Sequence, residues 1–202
     1  MANVCVYCAS STSIDPGLID LAARTGTELA RRGHTLVSGG GRVSMMGAVA
    51  AAARAGGART IGVIPEALSS REIADFDSDE LIKTTGMRER KAAMDDRADA
   101  FLGLPGGIGT LEEVFEVWTS RSLGMHAKPV VLLNAGGFYD GLLSWLRELA
   151  DRGFVRTEAL ALLTVVGSVP EAFDALDEGM RQEARVEAGP SAPVRVTPSL
   201  DG

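Results

Sequence analysis

The chain has 202 residues, a length that suits one compact domain, and 46% of them are hydrophobic, enough for a substantial core. The net charge of −7 argues against nucleic acid or an anionic membrane as a partner. No apolar run approaches the ~18 residues of a membrane span, and no basic leader precedes the apolar segment "NVCVYC". We therefore expect a cytoplasmic protein that binds neither nucleic acid nor membrane.

Apolar runs alternate along the chain with segments of helical periodicity. In chain order the pattern predicts strand 3–9, helix 18–33, a strand from 34 that ends in a glycine turn at 39–41, helix 47–57, strand 59–65, strand 80–85, helix 86–98, strand 99–105, helix 109–124, strand 128–135, helix 137–153, strand 161–168 and helix 170–184.

This alternation predicts an α/β fold, a Rossmann-like doubly wound parallel sheet with helices on both faces. The composition then shifts to proline, glycine and serine, so we expect one domain at 1–182 and a flexible tail at 183–202. Ligands in such folds bind at the carboxyl ends of the strands. The loops after Ala9, Ser38 and Leu104 are therefore the places to look for a site.

Cys5 and Cys8 form a C-x-x-C pair within the first predicted strand. Strand residues three apart point to opposite faces of the sheet, so the two thiols diverge. No second cysteine pair completes a zinc site, and His34 and His126 are isolated. We expect two structural thiols, with no metal and no cofactor.

The glycine-rich segment "SGGGRVSMMG" follows the second predicted strand. Consecutive glycines let backbone N–H groups approach an anion closely. However, no G-K-[ST] follows, and Gly39 and Gly41 lack the third glycine of G-x-G-x-x-G, which is Ser44 here. Nucleotide binding and a tight structural turn are equally open at this loop.

The segment "LPGGIGTLEE" also supports two interpretations. Glycines that lead into a helix N-terminus form an anion site, to which the Thr110 hydroxyl can add a donor. Thr110 to Glu113 is also the capping box T-x-x-E, in which Glu113 only folds back on its own helix. Catalyst and cap are equally open for Glu113, whereas Glu112 and Glu116 are expected to be solvated or paired.

The segment "MRERKAAM" carries the third candidate group. At helical spacing Met87, Lys91 and Met94 share one side, while Arg88 and Arg90 point elsewhere. An arginine on an acidic chain is ordinarily a surface charge. Two arginines and a lysine within four positions nevertheless suggest a local anion pocket.

Together these segments resemble the Lonely Guy (LOG) family of cytokinin riboside 5′-monophosphate phosphoribohydrolases, often labelled possible lysine decarboxylases. The family hallmark P-G-G-x-G-T-x-x-E is matched at every fixed position from Pro105 to Glu113, and the signature M-x-x-R-K by Met87, Arg90 and Lys91. The resemblance spans essentially residues 3–175, including "CASS", "GVIP" and "LGMHAKPVVLLNAGGFYDGLL".

The resemblance implies hydrolysis of the N-glycosidic bond of N6-substituted adenosine 5′-monophosphates (cytokinin riboside monophosphates) and of AMP, which releases free base and ribose 5-phosphate. It implies that Arg90 and Glu113 are the catalytic pair and that two chains form a homodimer with active sites near the interface. It also implies a substrate-binding set of Ser10, Gly40, Gly41, Met87, Lys91, Pro105, Gly106, Gly107, Gly109 and Thr110.

Several positions depart from the family pattern. Arg88 stands where the family usually has His, Ser44 where it has Gly, and Ser120 where it has Trp, with Trp118 two positions earlier. Ala9 replaces the Gly of C-G-S-S. The catalytic pair is intact, so these changes bear on the substrate more than on the reaction.

Three other functions remain open. The first is a nucleotide- or cofactor-binding Rossmann protein without hydrolytic activity. The second is a pyridoxal-phosphate decarboxylase, which needs a lysine for the Schiff base, whereas none of Lys83, Lys91 and Lys128 has a convincing site. The third is a pure assembly protein that associates through the apolar face of "FYDGLLSWLREL".

Overall fold

A computed structural model of the protein describes residues 1–69 and 73–187. The strands are β1 (Asn3–Tyr7), β2 (Thr35–Ser38), β3 (Thr60–Pro65), β4 (Glu80–Thr84), β5 (Ala100–Gly103), β6 (Val130–Leu133) and β7 (Leu163–Val166). They pair in the order β4-β3-β2-β1-β5-β6-β7, and every pair is parallel. Each strand lies within a segment that the sequence predicts as a strand.

Helices connect the strands on both faces of the sheet. They are α1 (Pro16–Arg31), α2 (Ser44–Ala55), α3 (Glu66–Ser69), α4 (Met87–Arg97), α5 (Ile108–Ser122), α6 (Asp140–Asp151), α7 (Thr157–Ala161) and α8 (Val169–Glu187). The short α3 and α7 escaped prediction because helical periodicity is not visible in four or five residues. No described helix has the length and apolar character needed to cross a membrane.

The end of α8 bears on the predicted domain boundary. The helix continues to Glu187, so residues 183–187, which the sequence assigns to the tail, are helical. Residues 188–202 lie outside the described part of the chain.

Two apolar cores fill the space between the sheet and its helices. Helices α1, α2 and α8 cover one face, with Phe173 fully buried, and α4, α5 and α6 cover the other. Leu143 and Leu146 of α6 belong to the second core, so the apolar face of that helix serves the interior. Cys8 lies in the first core and Cys5 in the second, which confirms that the two thiols diverge.

The strand order positions the site. The chain runs outward from β1 to β2, β3 and β4, then crosses back to β5 on the other side of β1. A doubly wound sheet opens a crevice at such a reversal, at the carboxyl ends of the strands. The loops after β1, β2 and β5 and the N-terminus of α4 all meet there.

Candidate active site

A cleft of about 640 Å³ opens at the carboxyl edge of the sheet. This volume lies within the range of small-ligand sites. Its lining includes the apolar side chains of Met46, Ile64 and Ile73 and the start of α5 from Gly107 to Thr110. Arg90 and Glu113 lie in the lining of the same cleft.

Arg90 and Glu113 form a nearly buried ion pair. Nη1 of Arg90 donates to Oε1 of Glu113 at 2.8 Å, and the two side chains are only 11% and 12% exposed. Nε of Arg90 also donates to the Val63 carbonyl at 3.1 Å. Arg90 therefore has a fixed orientation, because two acceptors from different elements hold two edges of its guanidinium.

Burial controls the protonation of Glu113. Removal of the carboxyl from water raises the pKa of Glu113 above the ordinary value of 4.5, and the charge and hydrogen bond of Arg90 offset only part of that rise. Such a carboxyl keeps a proton-accepting character closer to neutral pH than an exposed glutamate does.

Gly39 shapes the space for Arg90, and the sequence did not identify it as a site residue. A Cβ at Gly39 would lie 1.9 Å from Nη2 of Arg90. A side chain at this position therefore requires either the guanidinium or the loop to shift. The third glycine in the run, Gly41, meets only the flexible end of Met46. The glycine run "SGGG" indicates a close approach to the backbone, but the sequence does not show which of the three glycines lies against the arginine.

The start of α5 decides between the two interpretations of "LPGGIGTLEE". The helix begins at Ile108 with Gly107 as its N-cap, and no side chain caps it. Thr110 is therefore the third residue of the helix, and the carboxylate of Glu113 bonds Arg90. The capping-box interpretation of Glu113 is wrong because the helix begins two residues before Thr110.

The turn before α5 is closely packed. A Cβ at Gly106 would lie 2.1 Å from Oγ1 of Thr110, so the threonine side chain lies directly over this glycine. The hydroxyl of Tyr139 donates to the carbonyl of Leu104 at 2.7 Å and fixes the residue that follows β5.

The first N–H groups of α5 have no carbonyl of the same helix to bond, and they lie beside the cleft.

Ser44 joins two of the loops. It occupies the left-handed region at a φ of 54°, where the family usually has glycine, and its hydroxyl donates to the carbonyl of Ser11. The hydrogen bond links the loop after β2 to the loop after β1. Ser44 thus holds, with a side chain, the left-handed backbone conformation that glycine adopts freely.

Lys91 faces away from the large cleft. Its ammonium pairs with Glu112 and with Glu116, as expected for these two acids, and both carboxylates raise its pKa. A protonated, paired lysine is a poor Schiff-base nucleophile. Lys83 and Lys128 are likewise outside the lining of the cleft, and Lys128 bonds Asp95. The chain thus provides no lysine to the cleft for pyridoxal phosphate.

A second, smaller cavity of about 180 Å³ lies between α4 and α5. Its lining includes Arg88, Lys91, Glu116 and Ser120. Glu113 is the one described residue that lines both this cavity and the large cleft.

The structure divides the predicted site residues into two groups. The residues that line the large cleft are Ser10, Gly41, Met87, Arg90, Gly107, Gly109, Thr110 and Glu113. The remaining residues lie behind it or beside it: Gly40, Lys91, Pro105 and Gly106. Gly40 has a φ of 68° and packs on Val63 and Ile64, so it shapes the turn beneath the cleft.

The fold and the site define a Rossmann-like α/β protein whose cleft holds a buried carboxylate–guanidinium pair beside a helix N-terminus. A family model described as "Possible lysine decarboxylase" matches residues 46–176. Cytokinin riboside 5′-monophosphate phosphoribohydrolase of Mycobacterium marinum is 52% identical over 88% of this chain and 94% of its own. Its counterpart in Mycobacterium tuberculosis is 54% identical over 86% and 92%. The LOG protein of Oryza sativa subsp. japonica is 43% identical over 87% and 73%. The chain therefore belongs to the LOG family of phosphoribohydrolases, as the hallmark indicated.

Solved structures with similar architecture have more distant sequences. The molybdenum cofactor carrier protein of Chlamydomonas reinhardtii superposes with a TM-score of 0.66 at 20% identity and covers 89% of this chain and 98% of its own. The molybdenum cofactor binding protein of Rippkaea orientalis gives 0.67 at 21% identity, over 88% and 96%. At these identities the likeness shows the fold alone, and it confirms the doubly wound α/β architecture.

Proposed function

We propose that the protein hydrolyses the N-glycosidic bond of N6-substituted adenosine 5′-monophosphates and of AMP, releasing the free base and ribose 5-phosphate. The observation that carries the proposal is the Arg90–Glu113 pair, which lies at 2.8 Å in the cleft beside the N-terminus of α5. The names of the relatives at 52% and 54% identity support the same reaction.

The 5′-phosphate binds at the start of α5. Gly107, Gly109 and Thr110 line the cleft there, and glycine allows the phosphate to approach the backbone closely. Free N–H groups and the positive end of the helix dipole favour a dianion at this place. The phosphate anchors the ribose so that its anomeric carbon reaches Glu113, one turn further along the helix.

Glu113 carries the chemistry at the anomeric carbon. Cleavage of a glycosidic bond develops positive charge on the sugar, as in glycoside hydrolysis. The Glu113 carboxylate stabilises that charge or takes a proton from the attacking water. The carbon–nitrogen bond breaks with its electron pair going to the base, and the oxygen of water forms the new bond to the anomeric carbon. The base takes up one proton, which balances the proton that the attacking water loses.

Arg90 orients the carboxylate and does not transfer a proton. A guanidinium stays protonated at any physiological pH, so it cannot act as the general acid for the base. With one edge on Val63 and one nitrogen on Glu113, it holds the carboxylate toward the cleft and offers further N–H groups to the sugar or phosphate.

Two broader expectations belong to the same proposal. The first is a homodimer, which is supported by exposed apolar side chains at the cleft mouth, Met87 at 49% and Ile108 at 89%. Light scattering after gel filtration measures the assembly directly. The second is a cytoplasmic location, with which the unpaired Cys5 and Cys8 are compatible.

The test is a direct assay of both products. Purified protein is incubated with N6-isopentenyl-AMP, AMP and adenosine, and released base and ribose 5-phosphate are quantified. We expect both nucleotides to be cleaved and adenosine to react at least about tenfold more slowly, since it lacks the phosphate's charge-assisted hydrogen bonds. Equal rates for AMP and adenosine contradict the phosphate site. Nucleotides that stay intact after long incubation support the non-catalytic alternative.

A further inference from the structure

The turn between β5 and α5 is held by one buried side chain, that of Tyr139. Its hydroxyl donates to the Leu104 carbonyl at 2.7 Å, and the backbone N–H of Gly106 bonds the same phenol oxygen. Leu104 also donates its own N–H to the carbonyl of Tyr7 at 2.9 Å, which continues the pairing of β5 with β1. A single hydroxyl therefore ties together the residues on both sides of Pro105.

The phenol of Tyr139 has a fixed position of its own. The residue is 3% exposed and belongs to the second core. Its backbone N–H donates to Oδ1 of Asn134 at 2.7 Å, and Nδ2 of Asn134 donates to Asp140 at 2.7 Å. The N–H of Asn134 in turn donates to the carbonyl of Val166 in β7 at 2.8 Å. The loop that carries Tyr139 is thus bonded to the sheet, so the hydroxyl is a rigid support for the turn.

The phenol keeps its proton throughout the physiological range. Burial raises the pKa of Tyr139 to about 12, although the hydrogen bond from Gly106 acts in the opposite direction. The hydroxyl therefore remains a donor to Leu104, which is fully buried. Removal of the donor deprives a buried carbonyl of this partner, and such a loss costs more than an average hydrogen bond contributes.

The conformation of this turn decides where the first N–H groups of α5 point. Gly106 and Gly107 connect the end of β5 to the helix, which begins at Ile108. A Cβ at Gly106 would lie 2.1 Å from Oγ1 of Thr110, so the threonine packs directly on the turn. A shift of the turn changes the direction of the N–H groups at the helix start, and hydrogen bonds weaken steeply as their angle departs from linearity.

We propose that Tyr139 is a positioning residue for the 5′-phosphate: its hydroxyl fixes the turn at Leu104 and Gly106 so that the N-terminus of α5 presents its N–H groups to the phosphate. The inference rests on the proposed binding of the nucleotide at this helix. Tyr139 acts through the backbone, because its side chain is not part of the cleft lining. A tyrosine that served the core alone would affect ligands with and without a phosphate alike.

The experiment uses Tyr139→Phe, which deletes one oxygen and keeps the ring. Calorimetric titration measures the binding of ribose 5-phosphate and of adenine, the two products of the proposed reaction. We expect the Kd of ribose 5-phosphate to rise at least about fivefold, the factor that one net hydrogen bond supplies, and the Kd of adenine to change by less than about twofold. The KM for AMP should rise with the Kd of ribose 5-phosphate.

Tyr7→Phe is the matched control, because Tyr7 is an equally buried tyrosine of the same core whose hydroxyl bonds Cys5 instead of the turn. It should leave both Kd values at those of the wild type. Circular dichroism verifies the fold. If Tyr139→Phe is unstable, Asn134→Ala provides the answer, since it removes the acceptor of the Tyr139 N–H and should raise the Kd of ribose 5-phosphate alone.

The binding data and the hydrolysis data separate the two proposals. Equal changes for ribose 5-phosphate and adenine, or no change in either, overturn the positioning role and leave the hydrolase intact. Wild-type protein that binds ribose 5-phosphate but leaves AMP intact overturns the proposed hydrolysis, and the two Kd values still decide the role of Tyr139. Wild-type protein that does not bind ribose 5-phosphate overturns the phosphate site and the role of Tyr139 together.

Discussion

The Arg90 guanidinium lies 2.8 Å from the Glu113 carboxylate, although the two residues are 23 positions apart and belong to different helices. A strand and a glycine turn separate α4 from α5, and the parallel sheet brings the starts of both helices to one edge. Both side chains are largely buried, at 11% and 12% exposure.

Glu113→Gln should abolish most of the hydrolytic activity. Glutamine keeps a carbonyl oxygen for Arg90 but cannot carry the charge that stabilises the sugar or accept a proton from water. We expect kcat to fall at least about a hundredfold, the lower range for loss of a general base. Release of base is measured by chromatography, with the exposed Glu112→Gln as the control. A rate near wild type for Glu113→Gln contradicts the catalytic role.

Arg90→Lys should keep the positive charge yet lose function. A lysine has one nitrogen and cannot satisfy the Val63 carbonyl and the Glu113 carboxylate with the geometry of a planar guanidinium. We expect a fall in kcat of at least about tenfold and a loss of stability of about 1–3 kcal/mol for the hydrogen bond left unmade. Steady-state kinetics and thermal unfolding report the two effects. Arg97→Lys on the same helix serves as the control, and its activity should remain that of the wild type.

The pH dependence should follow the raised pKa of Glu113. The carboxylate is the active form, so kcat/KM should rise with pH through a midpoint above the ordinary glutamate value of 4.5. The same shift acts on stability. The folded state holds this proton more tightly than the unfolded chain, so the free energy of unfolding falls as pH rises from 4.5 through the folded pKa.

Glu113→Gln should remove that part of the pH dependence of unfolding, which is followed by denaturant titration at several pH values. An acid limb at or below 4.5 in the rate profile is the result that contradicts a buried, ionising Glu113.

Gly39→Ala should displace Arg90. The added methyl group would lie 1.9 Å from Nη2, and either the guanidinium or the loop must shift. We expect kcat to fall at least about tenfold, the order of effect for misplacement of a catalytic group by about 1 Å. Gly141→Ala is the control, because a Cβ there meets open space on a helix and should stabilise by about 0.5–1 kcal/mol. Equal activity of both variants contradicts the positioning role of Gly39.

Ser44 provides a test of backbone strain. At a φ of 54° a side chain bears a steric cost that glycine does not. Ser44→Ala loses the hydrogen bond to Ser11 and keeps the strain, whereas Ser44→Gly loses both. Ser44→Gly should therefore be more stable than Ser44→Ala by about 1–2 kcal/mol in unfolding experiments. The reverse order would mean that the loop does not hold this conformation in solution.

Much of the fold was accessible from sequence because its signals are local. The seven strands are recognisable in the sequence as short apolar runs between turn residues. Even the least distinct of them, β4, lies within its predicted segment. The divergence of Cys5 and Cys8 follows from the two-residue period of a strand. Since parallel strands end at the same edge of the sheet, the sequence alone predicts that the two glycine-rich loops lie close together.

Helix ends and pair partners were less accessible. The T-x-x-E pattern predicts a cap at Thr110, yet the helix begins at Ile108, because Gly107 already provides the break in the chain. The charges in "MRERK" do not show that Arg90 points into the cleft while Lys91 binds two acids of α5. The direction in which each of these two side chains points depends on the rotation of α4 about its axis relative to the sheet, and helical periodicity alone does not determine that rotation.

By itself the sequence determined the parallel α/β architecture, the edge at which ligands bind and the family hallmark, because these depend on periodicity and on residue types at fixed spacing. The tertiary structure decided which charges meet. It placed Gly39 against Arg90, buried Glu113 enough to raise its pKa, and set the hydroxyl of Tyr139 on the Leu104 carbonyl. These features arise from distances between elements far apart in the chain, and side-chain packing sets such distances to within an ångström.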